Sequence, residues 1–393
     1  MEVLTDALRF TLLDDGRARV APPDRRWEVV LTHPALTLTR PARPGTAGRA
    51  GDGRWVPTRL RSAVPRGTGL ELQYEAPEEA LALVVHVRRL DEGHLVFRVT
   101  VHNEGVGPVS VATVHPLVSD SVSGGAITLG EGDGIGFFRQ GWQSWSHTGA
   151  HDLPGWRETP IRVPFVHGMK ENPANPYRRD RWTSEMVTVI RGTEGHLLVG
   201  LDPVTDRFGD VELRWHPLGW CVEARIHLDG RRVGPGEHLE AGQVVIGAGA
   251  DPGTLLDAWA TRLAPQDRAA LARREVVRDG VAWCTWYCFK RGITEGILAD
   301  VTDHIVARPG LEAIRLIQLD DGYQRRIGDW LSPSRAFPSG LAGVVSRIRE
   351  RGLDPGLWVS PFIAEPGSEL YRAHPGWFLT DRTGRPVSGG WNP

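Results

Sequence analysis

Two adjacent carboxylates follow a short apolar segment in the last fifth of the sequence. Ile314 to Leu319 is typical of a buried strand, and Asp320 and Asp321 come directly after it. In α/β proteins the carboxyl ends of parallel strands are where ligands bind. Carboxylates there can accept hydrogen bonds from the hydroxyls of a polyol and discriminate its epimers by geometry. Asp-Asp-Gly is also a common turn sequence. The functional interpretation therefore depends on the position of the two carboxylates directly after a strand.

Tryptophans lie near the ends of two further predicted strands. The first strand, Val281 to Tyr287, contains Trp286, and another, Gly356 to Phe362, contains Trp358. A tryptophan ring is a large flat apolar surface that suits the face of a sugar, although packing in a core explains such a ring about as well. Asp329 and Trp330 add a carboxylate and a third ring. Cys284 and Cys288 have no Cys or His cluster around them, so we expect buried thiols and not a metal site.

A strand–helix–strand–helix–strand order must position these residues. Thr294 predicts a helix N-terminus, and Leu298 and Ile305 follow at helical spacing. Ser339 opens a second predicted helix, which Gly352 ends. This order implies parallel strand pairing, and it fits the beginning of an eight-fold barrel as well as a doubly wound sheet.

The first 250 residues predict short antiparallel strands. Apolar residues alternate from Leu81 to Val87 and again from Leu95 to Val101, with a Gly-containing turn between them. Similar short segments separated by Gly and Pro indicate a sandwich. We therefore expect three regions: a β-sandwich domain at 1–252, a helical linker at 253–276 and the first part of a barrel at 277–393.

Composition narrows the class of protein. Apolar residues make up 40% of the chain and the net charge is −2, which is typical of a globular protein and not of a disordered or nucleic-acid-binding one. No apolar stretch approaches the roughly 18 residues of a membrane span, and no signal peptide is evident. Three cysteines are too few for a disulfide framework. We expect a cytoplasmic protein with no membrane or nucleic-acid partner.

Two glycine-containing segments are further candidate sites. Gly130 to Gly136 has the spacing of a dinucleotide fingerprint, but it lies among predicted strands with no helix after it, so we expect a loop. Gly141 to Ser146 contains two tryptophans beside small polar residues. It predicts either a sugar-facing loop or a packed turn, and packing is slightly favoured.

Together the segments resemble glycoside hydrolase family 36, the melibiase or α-galactosidase family. The resemblance runs from about Val281 to the end, and more weakly includes Gly141 to Ser146. The matching segments are Trp283-Cys-Thr-Trp-Tyr, Leu319-Asp-Asp-Gly-Tyr, Gly328-Asp-Trp, Phe337-Pro-Ser-Gly-Leu, Gly356-Leu-Trp-Val-Ser-Pro-Phe and His374-Pro-Gly-Trp.

The resemblance implies a retaining α-galactosidase in which a β-supersandwich precedes a (β/α)8 barrel, of which this chain would hold the first three β/α units. By resemblance, Asp320 and Asp321 bind hydroxyls of the terminal galactose, and Trp286 and Trp358 line that subsite. Asp329 and Trp330 also match family positions, with a weaker link to the sugar. The expected partner is an α-galactoside, with a homo-oligomer as a further expectation and no cofactor.

The resemblance also concerns the catalytic pair. Retaining glycosidases use two carboxyl groups about 5–5.5 Å apart, and adjacent residues such as Asp320 and Asp321 cannot flank a glycosidic bond. The family carries both as Asp on the fourth and sixth barrel strands, so we expect them beyond Pro393 and expect the 393-residue chain alone to be inactive. The alternatives are a galactosyl transferase similar to raffinose synthases and a non-catalytic galactose-binding remnant.

Overall fold

The structure is a computed structural model that describes residues 1–39, 53–130, 135–142, 146–153, 155, 180–201, 207–263, 281–380 and 384–388. It divides the chain into two compact units, Met1–Pro265 and Gln266–Pro393. Within the described ranges, no helix is long and apolar enough to cross a membrane. The same ranges contain no cluster of three His, Cys, Asp or Glu residues that could hold a metal ion.

The first unit consists mainly of antiparallel strands. Its strands are β1 (Glu2–Leu4), β2 (Arg9–Leu12), β3 (Ala18–Ala21), β4 (Glu28–Leu31), β5 (Ala35–Thr39), β6 (Gly53–Pro57), β7 (Arg59–Arg66), β8 (Gly69–Ala76), β9 (Leu81–Arg89), β10 (His94–Asn103), β11 (Val109–Val118), β12 (Ala126–Thr128), β13 (Ile135–Arg139), β14 (Gly149–Leu153), β15 (Arg181–Glu185), β16 (Val187–Arg191), β17 (His196–Leu201), β18 (Gly209–His216), β19 (Gly219–Val233) and β20 (His238–Gly249). Single 3-10 turns occupy Pro77–Glu79 and Ser121–Ser123.

These strands form two sheets. One has eleven strands in the order β1-β2-β3-β4-β12-β19-β11-β5-β6, with β18 pairing β19 and β15 pairing β18. The other has nine, in the order β14-β13-β16-β17-β20-β10-β9-β8-β7. The predicted hairpin is confirmed as β9 and β10, in which Val85 lies opposite Val99. Buried side chains of both sheets, Phe10 and Phe97 among them, form one core, so the predicted sandwich is confirmed.

A helix, α1 (Pro252–Leu263), packs on the nine-stranded sheet. The side chain of Asp251 accepts the backbone N–H of Thr254 at 2.6 Å and so caps the helix. Leu255 is buried with Val96 and Leu198 on the face of the sheet opposite the main core. The helix predicted to begin the linker therefore packs against the sandwich, and the rest of the predicted linker lies outside the described residues.

The second unit contains a parallel sheet with helices between its strands. Its strands are β21 (Val281–Cys284), β22 (Ile314–Leu319) and β23 (Asp354–Leu357), in the order β21-β22-β23. Its helices are α2 (Trp286–Phe289), α3 (Glu295–Ala307), α4 (Gly340–Glu350) and α5 (Glu369–Ala373), with 3-10 turns at Lys290–Gly292 and Pro375–Trp377. The predicted parallel pairing is confirmed.

The boundaries of two predicted strands were wrong. The first ends at Cys284 and not at Tyr287, because Thr285 takes helical dihedral angles and α2 begins at Trp286. The third is Asp354–Leu357, so Trp358 follows the strand instead of lying inside it. The second strand has the predicted bounds.

Helices α3 and α4 cover the parallel sheet. Leu298 of α3 and Val344 of α4 are buried in one cluster with Ile317 and Leu319 of β22. The predicted caps are confirmed at two positions. The hydroxyl of Thr294 accepts the backbone N–H of Ile297 at 3.2 Å, and Gly352 takes a φ of +76° just after α4.

Candidate functional site

The carboxyl end of the parallel sheet brings together residues from all three strands. Asp320 and Asp321 follow β22, the central strand. Trp286 begins α2, two residues after the last residue of β21. Trp358 directly follows β23, and its backbone N–H donates to the carbonyl of Leu319 at 2.9 Å. The sheet therefore places both carboxylates between the elements that carry the two rings.

Asp320 is half-buried and held on both carboxylate oxygens. Its Oδ2 accepts the amide of Gln318 at 2.9 Å and the thiol of Cys284 at 3.2 Å. Its Oδ1 accepts the backbone N–H of Asp321 at 2.8 Å, and its own N–H donates to the hydroxyl of Thr285 at 2.9 Å. A carboxylate offers about four lone-pair positions, so these three donors leave capacity for a ligand hydroxyl.

Asp321 is buried, with 3% of its surface exposed, and its charge is compensated within the unit. Arg291 Nε donates to its Oδ2 at 3.1 Å, and Gln324 Nε2 donates to its Oδ1 at 2.5 Å. Gly322 lets the backbone pass close to Arg291, because it takes a φ of +118° and a Cβ there would lie 2.8 Å from the Cα of Arg291. Each oxygen of this carboxylate thus has a donor within the unit, and one of the two donors, Arg291, carries a positive charge.

The tryptophan after β23 is held by its neighbours. The rings of Trp330 and Trp358 meet edge to face, with centroids 5.7 Å apart. The hydroxyl of the buried Tyr323 donates to the carbonyl of Trp358 at 3.1 Å. Burial, together with the charge of Asp321, raises the pKa of Tyr323 to about 12, so this hydroxyl stays a donor at neutral pH. Trp330 therefore contacts the ring of Trp358, and Tyr323 holds its backbone.

Asp329 contacts backbone and acts as a helix cap. Its Oδ1 accepts the N–H groups of Glu369 and Leu370, at 2.8 and 3.2 Å, at the first turn of α5. Ser368 completes that end by accepting the N–H of Tyr371 at 3.1 Å. Asp329 therefore caps α5 and joins that helix to the residue before Trp330.

Sequence reasoning missed the residues that hold the carboxylates. Gln318, Thr285 and Arg291 were not candidates, and Cys284 was treated only as a packing residue. The expectation that both thiols are buried was wrong, because Cys288 is exposed on α2 and Cys284 is only half-buried. A usable signal was the i, i+2 spacing of Gln318 and Asp320, which places both on one face of β22. In the glycine-containing segments, residues 131–134 and 143–145 lie outside the described residues.

Comparison with known proteins points to one family. A family model described as melibiase matches residues 302–392. The curated α-galactosidase AgaA of Geobacillus stearothermophilus is 44% identical over 82 residues, which are 19% of this chain and 11% of AgaA. An α-galactosidase of Escherichia coli is 33% identical over 69 residues, 16% of this chain and 10% of that protein.

Solved structures extend the likeness to most of the chain. TtGalA, an α-galactosidase from Thermus thermophilus in complex with stachyose, is 27% identical, with a TM-score of 0.52 over 84% of this chain and 58% of that one. The GH36 α-galactosidase AgaA in complex with raffinose has a TM-score of 0.58 over 99% of this chain and 60% of that one. At 14% identity, the second likeness concerns the fold alone. The chain thus spans about three fifths of the length of these structures.

Proposed function

We propose that this chain, whose residues 302–392 match the melibiase model, forms the galactose-binding part of a retaining α-galactosidase of glycoside hydrolase family 36. The observation that carries the proposal is the position of Asp320. It lies at the carboxyl end of the central parallel strand, half-buried, with neutral donors on both oxygens. Such a group is suited to accept hydroxyls of a neutral sugar.

We assign the other predicted residues according to their contacts. Asp320 accepts galactose hydroxyls, and Trp286 and Trp358 line the sugar subsite. Asp321 takes part from a more buried position, since Arg291 and Gln324 already hold its oxygens. Trp330 supports Trp358 from the edge, and Asp329 supports Trp330 through the chain it caps. Raffinose and stachyose, found in complexes of the structural relatives, define the substrate class we propose.

We place the nucleophile and the acid/base outside residues 281–380. Asp320 and Asp321 are adjacent, and retaining hydrolysis needs two carboxyl groups on either side of the bond, about 5–5.5 Å apart. We further propose that β21, β22 and β23 are the first three strands of a (β/α)8 barrel, and that the protein assembles as a homo-oligomer. On this proposal the 393-residue chain binds α-galactosides without hydrolysing them.

Calorimetric titration of the 393-residue chain with methyl α-D-galactopyranoside tests the proposal. We expect binding, with much weaker binding of the 4-epimer methyl α-D-glucopyranoside. Asp320→Asn should weaken the galactoside affinity by about 10- to 100-fold, the range for a hydrogen bond to a charged group. Asp300→Asn, on the exposed side of α3, is the matched control and should bind like wild type.

Two results would contradict the proposal. Equal binding of both epimers, or none, would remove Asp320 from a galactose subsite. Hydrolysis of p-nitrophenyl α-D-galactopyranoside by this chain would show that the catalytic pair was placed wrongly.

A further inference from the structure

Three side chains at the end of the parallel sheet form a closed set of contacts. Cys284 and Gln318 are register partners in β21 and β22, and Asp320 lies two residues after Gln318 on the same face. The Gln318 amide contacts both Cys284 Sγ, at 3.7 Å, and Asp320 Oδ2, at 2.9 Å. The thiol in turn donates to the same Oδ2 at 3.2 Å. The two strands therefore fix one carboxylate oxygen from two directions.

The surroundings keep Cys284 in its neutral, donating form. Burial raises the pKa of the Cys284 thiol, and the hydrogen bond to Asp320 and the charge of that carboxylate raise it further. The backbone N–H of Trp286 acts in the opposite direction, and the other titratable neighbour is Cys288 on α2. The next charged residue after Asp320 in the chain is Asp321, which pairs with Arg291. A thiol with a raised pKa is a poor nucleophile, so its contribution is a hydrogen bond.

We propose that Cys284 and Gln318 are positioning residues that set the direction in which Asp320 presents its remaining lone pair to the axial hydroxyl of galactose. The proposal rests on the proposed function for the identity of the sugar, but the contact between Cys284 and Asp320 is independent of it. Because both donors occupy Oδ2, the sugar hydroxyl is directed to Oδ1. Losing either donor lets the carboxylate rotate and weakens the discrimination between galactose and its 4-epimer.

The contact itself is tested first, without any sugar. The rate of iodoacetamide alkylation is followed at Cys284 and Cys288 by peptide mass spectrometry across pH 7 to 10. In Asp320→Asn the negative charge beside the thiol is gone, so the Cys284 pKa should fall. The ratio of the Cys284 rate to the Cys288 rate at pH 8 should then rise about three- to tenfold, since one pKa unit is a tenfold change in thiolate. Exposed Cys288 is the reference within the same sample. An unchanged ratio would overturn the inference.

Sugar binding is tested second, with a variant that keeps the donor. Cys284→Ala should weaken binding of methyl α-D-galactopyranoside about fivefold, the usual effect of one hydrogen bond, and Cys284→Ser should recover most of that loss. The wild type should also lose affinity at alkaline pH, as the thiol ionises, and Cys284→Ser should not. Equal loss in both variants would indicate a packing role and overturn the inference. If the wild type binds no galactoside, the proposed function fails, while the alkylation ratio still decides the Cys284–Asp320 contact.

Discussion

The two units differ in the partners that they give to their carboxylates. In the sandwich, Asp210 is fully buried, and its oxygens accept Arg225 Nε at 2.7 Å and His227 Nε2 at 2.6 Å. Arg225 also reaches Glu212 at 3.1 Å, so cation and carboxylates lie together inside the unit. At the carboxyl end of the parallel sheet, Asp320 is half-buried and its three donors in the described chain are neutral.

The comparison separates structural carboxylates from ligand-binding ones. Asp210 accepts hydrogen bonds from Arg225 on one oxygen and from His227 on the other, and the cation Arg225 is what stabilises its charge away from water. Asp321 follows the same pattern through Arg291, whereas Asp320 does not. The two adjacent carboxylates thus differ in their partners, and the less buried one, with neutral donors, is the better candidate to bind a sugar.

The largest expected effect comes from breaking the network of the sandwich. Burial would raise the pKa of Asp210, but the charges of Arg225 and His227 outweigh it and lower the pKa below its usual range. Asp210→Asn leaves the buried Arg225 with one carboxylate fewer, Glu212 remaining, and we expect the free energy of unfolding to fall by about 3 kcal/mol, the lower end for breaking a buried ion pair. Urea denaturation followed by circular dichroism measures this loss.

The matched control for that variant is an exposed ion pair of the same unit. Arg98 and Glu240 are both nearly half-exposed, so Glu240→Gln should cost less than about 1 kcal/mol. Because the folded pKa of Asp210 is lowered, its contribution is present at neutral pH and is lost as pH falls through the folded value. A loss below 1 kcal/mol for Asp210→Asn would mean that the network adds little.

The next prediction contrasts the adjacent carboxylates. Asp321→Asn removes the charge that pairs with Arg291, and we expect a loss of about 1–3 kcal/mol in the stability of the second unit. Asp320→Asn should cost clearly less, because the asparagine oxygen can still accept from Gln318. Thermal denaturation of both variants gives the two values. The reverse order would contradict the assignment of Asp321 as the structural member.

A smaller effect is expected at the helix cap. Asp329→Ala removes the acceptor for two backbone N–H groups of α5 and should destabilise the second unit by about 1 kcal/mol. Asp329→Ser restores a capping acceptor and should recover part of that loss. Hydrogen exchange of the Glu369 and Leu370 amides should report the change directly. If these amides exchange no faster in Asp329→Ala, the cap has no measurable stabilising effect.

The elements of this fold could be predicted where a local pattern determines them. Alternation predicted the β9–β10 hairpin, and the apolar segment that ends just before Asp320 predicted the bounds of β22. The same alternation failed from Trp283 to Tyr287, because a strand that runs into a single helical turn has the residue types of a longer strand. Period-two spacing over so few residues does not distinguish the two.

The candidate site was predictable only in part. The position of Asp320 at the end of a strand could be predicted from the order of the elements alone. In the structure Asp320 directly follows β22. The partner of Asp321 was not predictable, because Arg291 reaches it from the turn after α2, thirty residues earlier in the chain. The cap formed by Asp329 joins residues forty apart. Contacts of this kind depend on how loops pack, which a single sequence does not encode in its periodicity.

The smallest effect we predict concerns Glu295, which joins α3 to the start of α4. Its carboxylate accepts the hydroxyl of Ser339 at 2.5 Å and the backbone N–H of Ser339 at 2.9 Å, and these bonds lower its pKa. Since the folded pKa lies below the unfolded value of about 4.3, the stabilisation is present above that value and is lost as pH falls through the folded pKa. Glu295→Gln should reduce stability by about 0.3–1 kcal/mol at pH 7, as expected for a charge at a helix N-terminus. The difference between wild type and variant, measured by hydrogen exchange of the first turn of α4, should vanish near pH 3. A difference that persists there would show that the charge of Glu295 is not what stabilises the helix start.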